Sequence, residues 1–98
     1  SDLVARYGGE EFIILLPNTN KEHAKALSEL IRVSVGQLKI DTENSTINFT
    51  ASFGITTIIP PVHFNHEKLI TVADSALYAA KEQGRNCCIY KEMVFDNV

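Results

Sequence analysis

Four consecutive residues, Gly8-Gly9-Glu10-Glu11, combine what is needed to bring a charged ligand against the backbone. Glycine adopts positive φ and carries no Cβ, so the chain at Gly8 and Gly9 can turn sharply and approach a ligand closely. Glu10 and Glu11 set two carboxylates side by side, a pair that repels unless it is solvated or neutralised by a cation. A magnesium-bound phosphate suits such a pair, because magnesium uses one or two protein carboxylates and takes its other oxygens from phosphates and water. The plainer reading is an exposed polar turn, for which glycine and acidic residues are common. The flank favours a site: Phe12-Ile13-Ile14-Leu15-Leu16 follows directly, and so apolar a strand fixes the carboxylates at the edge of a core.

A second polar set, Asp74, Tyr78, Lys81 and Arg85, recurs at helical spacing and forms one stripe on a helix. Arg85 offers a fork of donors and Lys81 a point charge, and the two together could hold a triphosphate tail. Both cations could equally complement the negative end of the helix dipole and cap its last carbonyls. Gly84 lies between them and leaves a shared face open. His63 and His66 have a ligand-like gap but no carboxylate or thiol close in sequence, so with His23 they read as ordinary surface histidines.

The elements that must position these groups follow from periodicity. Leu3 to Tyr7 and Glu11 to Leu16 read as the two arms of a hairpin with the glycines at its tip. The second arm is apolar on both faces, the pattern of an interior strand covered on two sides, and Pro17 ends it. Thr19 followed by Glu22 fits a capping box, and Ala24, Leu27, Ile31, Val35 and Leu38 recur at helical spacing, predicting a helix from about residue 20 to 35. The odd positions Ile47, Phe49, Ala51, Phe53 and Ile55 are apolar and alternate with polar or small residues, predicting one strand, with Leu38 to Ile40 pairing against its beginning. After Pro60-Pro61 a second helix carries Leu69, Ala73, Ala76, Leu77 and Ala80 on one stripe until Gly84 stops it, and Cys87 to Tyr90 is a last short strand. The order predicts an α+β fold, helices packed on a largely antiparallel sheet.

Composition bounds the rest. Ninety-eight residues with 45% hydrophobic content describe one globular unit with little stability to spare. A formal charge of −3 argues against a nucleic-acid partner, which calls for a basic surface. No apolar run approaches the ~18 residues of a membrane span, and no signal core opens the chain, so the segment is expected to be cytoplasmic and without membrane contact. Cys87 and Cys88 are adjacent and point to opposite faces of a strand, so reduced thiols are expected. The triplets at Asn44 and Asn48 that resemble glycosylation sites lack secretory context and read as chance matches.

Taken together, Arg6-Tyr7-Gly8-Gly9-Glu10-Glu11-Phe12 with Leu16-Pro17-Asn18-Thr19, Ala51-Ser52-Phe53-Gly54-Ile55, and Ala73-Asp74-Ser75-Ala76-Leu77-Tyr78-Ala79-Ala80-Lys81 with Gly84-Arg85-Asn86 resemble three ordered motifs of the GGDEF domain, here in its GGEEF form. The resemblance runs from residue 2 to about 91, leaving 92–98 as a tail. It corresponds to the later, carboxy-terminal part of a single family domain of nucleotidyl-cyclase, palm-like type. The first central strand with its metal-binding aspartate, the early helices and the guanine-recognising residues belong to the earlier part.

The resemblance implies a diguanylate cyclase, which condenses two GTP into cyclic di-GMP and two pyrophosphates in bacterial second-messenger signalling. Each domain holds one GTP, and two face each other as a homodimer. Carried over by position, Glu10 ligates metal and helps deprotonate the 3′-hydroxyl, and Glu11 holds magnesium or manganese. Gly8 and Gly9 leave room for phosphates, and Lys81 and Arg85 contact the triphosphate. Asp2 matches the last residue of the RxxD inhibitory motif, where cyclic di-GMP binds; its arginine would precede Ser1. The segment alone is expected to be inactive, and its uncovered hairpin to drive self-association or low stability. The alternative is a non-catalytic GGDEF-like module that binds GTP, cyclic di-GMP or a protein, and the upstream sequence separates the two.

Overall fold

A computed structural model describes residues 3–6, 12–16, 19–58 and 66–93. Among the described residues eight elements follow in chain order: strand β1 (Leu3–Arg6), strand β2 (Phe12–Leu15), helix α1 (Lys21–Gly36), strands β3 (Lys39–Asp41), β4 (Thr46–Asn48) and β5 (Phe53–Ile55), helix α2 (His66–Glu82) and strand β6 (Cys88–Tyr90). Among the described residues the strands form three pairs, β1 with β2 and β3 with β4 antiparallel, β5 with β6 parallel. The predicted α+β character and largely antiparallel pairing are therefore present.

The centre is the β5–α2–β6 unit. Parallel neighbours need a long crossover, and α2 supplies it, lying on both strands. The ladder runs Phe53 to Cys88, Gly54 to Ile89 and Ile55 to Tyr90, and is prolonged by Phe53 N–H to Cys87 O at 2.9 Å and Lys91 N–H to Ile55 O at 2.9 Å. The helix can lie so low because its inner face is alanine: Ala76 and Ala80 are fully buried, beside Ile55. Opposite them Gly54 has no Cβ, and one built there would overlap the backbone of Ala73 and Leu77.

Helix α1 packs against β5 and β6 through buried Ala24 and half-buried Leu27, Ile31 and Val35. Three features depart from expectation. The N-cap is Asn20, one residue after Thr19: its extended backbone sends its carbonyl to Ala24 N–H, and its side-chain oxygen accepts from His23 N–H, both at 2.9 Å. Asparagine ranks above threonine at this position. Leu38 leaves the apolar stripe and is 56% exposed, because the helix ends at Gly36 and the chain turns into β3. The run from Ile47 to Ile55 is two strands in two pairs, since its first part is held by β3 and its last part by β6. Alternation reports a face, and here one alternating run serves two partners.

The apolar pattern of β2 is that of a strand covered on two sides, a cover that the resemblance assigns to the earlier part of the domain. Among the described residues its one strand partner is β1, and Ile14 is 43% exposed. The β1–β2 and β3–β4 hairpins pack principally within themselves, and no side chain larger than isoleucine is buried among the described residues. The exit of β6 is tied down by polar contacts: Lys21 Nζ to Glu92 Oε1 at 3.2 Å, Thr57 Oγ1 with the Tyr90 hydroxyl at 2.6 Å, and Lys91 Nζ to Ser75 Oγ at 2.7 Å.

Candidate functional site

Gly8, Gly9, Glu10, Glu11 and Asp2 lie outside the described residues. Their anchors do not. The β1–β2 register pairs Arg6 with Phe12, so the chain enters and leaves the Gly8–Glu11 segment at partnered backbone positions. His63 also lies outside the described residues. His23 and His66 are exposed, and no group of three or more histidine, cysteine, aspartate or glutamate side chains gathers among the described residues.

The stripe on α2 divides in two. Asp74, Tyr78 and Lys81 line one open groove with Thr71, Ser75 and Leu77, of about 450 Å³. A carboxylate, a 66% exposed phenol and an ammonium along one face provide both signs of charge and a ring edge for a polar ligand. Arg85 is not among the groove's lining residues, because the helix stops before reaching it. Gly84, at φ 110°, ends α2 in a Schellman turn: its N–H bonds Lys81 O at 3.3 Å, and Arg85 N–H bonds Ala80 O at 2.9 Å.

Left-handed backbone then continues through two residues with side chains, Arg85 at φ 65° and Asn86 at φ 50°. Asparagine tolerates this region, and arginine does so rarely. Asn86 is gripped from two other elements. Arg32 Nη1, from α1, donates to Asn86 Oδ1 at 2.9 Å and to its carbonyl at 3.5 Å, and Asn86 N–H donates to Ser52 Oγ at 2.9 Å. Glu29, one turn earlier on α1, accepts from Arg32 Nε at 2.9 and 3.1 Å and also from Nη2.

The hydrogen bonds from Arg32 hold the Glu29 carboxyl below the usual carboxylate range. Burial pushes the neighbouring Cys88 thiol up to about 11, with the Glu29 charge adding to the effect. Cys87 and Cys88 are both free thiols. Arg32, Ser52 and Asn86 were not singled out as site residues from sequence. Periodicity could not find them, because their contacts join positions 54 and 34 residues apart.

Comparison with known proteins finds relatives across most of the chain. The family model described as "Diguanylate cyclase, GGDEF domain" matches residues 1–87. Diguanylate cyclase A of Treponema denticola is 42% identical over 89 residues, covering 88% of this chain and 23% of that protein. Diguanylate cyclase DgcM of Escherichia coli K12 is 43% identical over 88 residues, covering 87% of this chain and 20% of that protein. The chain thus spans under a quarter of the length of these relatives.

Among solved structures, the active GGEEF domain of a Vibrio cholerae diguanylate cyclase superposes with a TM-score of 0.78 at 32% identity, over 98% of this chain and 58% of that one. Diguanylate cyclase SiaD of Pseudomonas aeruginosa, solved with its activator SiaC, gives 0.82 at 36% identity, over 92% of this chain and 34% of that one. The GGDEF domain of DgcB from Caulobacter crescentus, solved with cyclic di-GMP, gives 0.76 at 30% identity, over 91% and 51%.

Proposed function

From the premise that this chain belongs to the GGDEF, or diguanylate cyclase, family, we propose that a protein carrying it within a complete GGDEF domain condenses two GTP molecules into cyclic di-GMP. Each 3′-oxygen attacks the α-phosphorus of the other nucleotide, the bond to the β-phosphate oxygen breaks, and two pyrophosphates leave. Two domains meet as a homodimer, so that twofold symmetry presents both hydroxyls in register. The whole of residues 1–98 serves one such domain, as its carboxy-terminal portion.

The observation that carries this reading is the acidic pair Glu10-Glu11 directly after Gly8-Gly9, in the stretch bounded by the register partners Arg6 and Phe12. Gly8 and Gly9 admit the phosphates close to the main chain. The two carboxylates are hard oxygen donors with no thiol or imidazole beside them in sequence, a donor set that fits magnesium or manganese. When bound, the ion would neutralise triphosphate charge and make the 3′-hydroxyl more acidic. Glu10 is positioned in sequence to accept the hydroxyl proton and Glu11 to hold the ion. Lys81 and Arg85 take the triphosphate and offset charge on the departing pyrophosphate. Asp2 contributes to a product-binding inhibitory site. The protein works in bacterial second-messenger signalling, in the cytoplasm; among the described residues no helix is long and apolar enough to cross a membrane.

The test is turnover of GTP with magnesium by a complete domain bearing this segment, read by chromatography of the nucleotide product. Cyclic di-GMP is expected, and its loss on Glu10→Ala or Glu11→Ala. Binding of GTP or cyclic di-GMP without turnover would identify a sensing module instead.

A further inference from the structure

Resting on the reading of Arg85 as a triphosphate contact, we propose that Arg32 is a positioning residue for Arg85, acting through Asn86. Three successive residues, Gly84, Arg85 and Asn86, have positive φ. Glycine takes that conformation freely, whereas in a residue with a side chain the Cβ crowds the neighbouring carbonyl oxygen. A turn of this kind persists only when its surroundings over-determine it.

The local part of that determination ends at Arg85. The two Schellman hydrogen bonds fix the N–H groups of Gly84 and Arg85 against α2. They do not reach Asn86. What fixes Asn86 is non-local: the Arg32 guanidinium takes its side-chain and main-chain oxygens, and Ser52 Oγ takes its N–H. Arg85 therefore sits between a residue tied to the end of α2 and one tied to α1 and to the approach of β5. Its backbone direction is set from both sides.

The chemistry of Arg32 suits this task. Glu29 occupies the Nε–Nη2 edge of the guanidinium, which orients the plane and leaves Nη1 facing Asn86. The Arg32 side chain is 23% exposed, half the exposure of its partner Glu29. Lysine keeps the charge but cannot bond both partners in a fixed plane. A pair that served merely to staple α1 to the start of β6 would leave Arg85 indifferent to its loss.

Two variants of a complete GGDEF domain bearing this segment test the assignment. Arg32→Lys removes the planar clamp, and Asn86→Gly removes the acceptor while letting the chain keep positive φ, so the fold is retained. Each is measured for kcat and KM with GTP, alone and combined with Arg85→Ala. Each single variant is expected to lower kcat/KM about tenfold, and neither to lower it more than about twofold once Arg85 is alanine, because coupled residues are not additive. Losses that persist undiminished beside Arg85→Ala would assign the cluster to general fold support and overturn the proposal, as would full activity in both single variants. Should Arg85→Ala alone leave kcat/KM unchanged, the reading of Arg85 itself falls, and the positioning role with it.

Discussion

Gly54 of β5 lies directly beneath Leu77 of α2, so close that the helix backbone occupies the space a Cβ would need. The contact lies at the middle of the β5–β6 ladder, where Gly54 pairs with Ile89. The height of α2 over the sheet, and with it the placement of Lys81 and the turn after it, depends on this missing side chain.

Gly54→Ala is accordingly expected to destabilise a domain bearing this segment by about 3 kcal/mol or to prevent folding, since backbone atoms cannot yield as a flexible side chain would. Gly36→Ala is the matched control: a Cβ there meets nothing within 4 Å, and the residue is helical. It should be neutral or stabilising by up to about 1 kcal/mol. Denaturant titration of the two variants checks both, and equal stabilities would contradict the close packing.

The cap of α1 gives a second comparison. Asn20→Ala removes the acceptor for His23 N–H and should cost about 1 kcal/mol. Asn20→Asp should retain most of it, because aspartate caps equally well and favours the positive end of the helix dipole. Thermal unfolding of both variants separates the cap from a bulk effect of the side chain.

Cys88 makes a prediction about alkaline pH. Its folded-state value of about 11 lies above the ordinary 9.0, so the folded chain holds the proton more tightly than the unfolded one. The resulting stability is complete below pH 9.0 and is lost as pH rises toward 11. Cys88→Ala should flatten the stability profile across that window. At neutral pH Cys88 should react slowly with thiol reagents, because the nucleophile is the thiolate. Rapid labelling of folded protein at pH 7 would contradict its burial.

Lys81→Ala in a complete domain is expected to raise KM for GTP or lower kcat, with kcat/KM falling by about 1.5–3 kcal/mol worth of charge-assisted contact, roughly 10- to 150-fold. The purified 98-residue segment alone should form no cyclic di-GMP. With Leu30, Val33, Leu38, Ile40 and Ile47 each more than 40% exposed, it should also self-associate. Sedimentation across a concentration series checks this, and a stable, sharply unfolding monomer would count against it.

The primary structure determined much by itself. The acidic pair after two glycines, the apolar run of β2, the alanine face of α2 and the stop at Gly84 are local patterns, and local patterns are written in consecutive residues. They sufficed for the α+β character, both helices, the two hairpins and the family. Tertiary structure alone decided who pairs with whom. It divided the run from Ile47 to Ile55 between β3 and β6, made the β5–β6 pair parallel, and took Leu38 out of the α1 stripe. It also carried Arg85 off the helical stripe of Asp74, Tyr78 and Lys81 into a left-handed turn gripped from Arg32 and Ser52. Periodicity reports which face of an element is apolar, whereas a hydrogen bond across 54 residues exists only once packing has brought its two ends together.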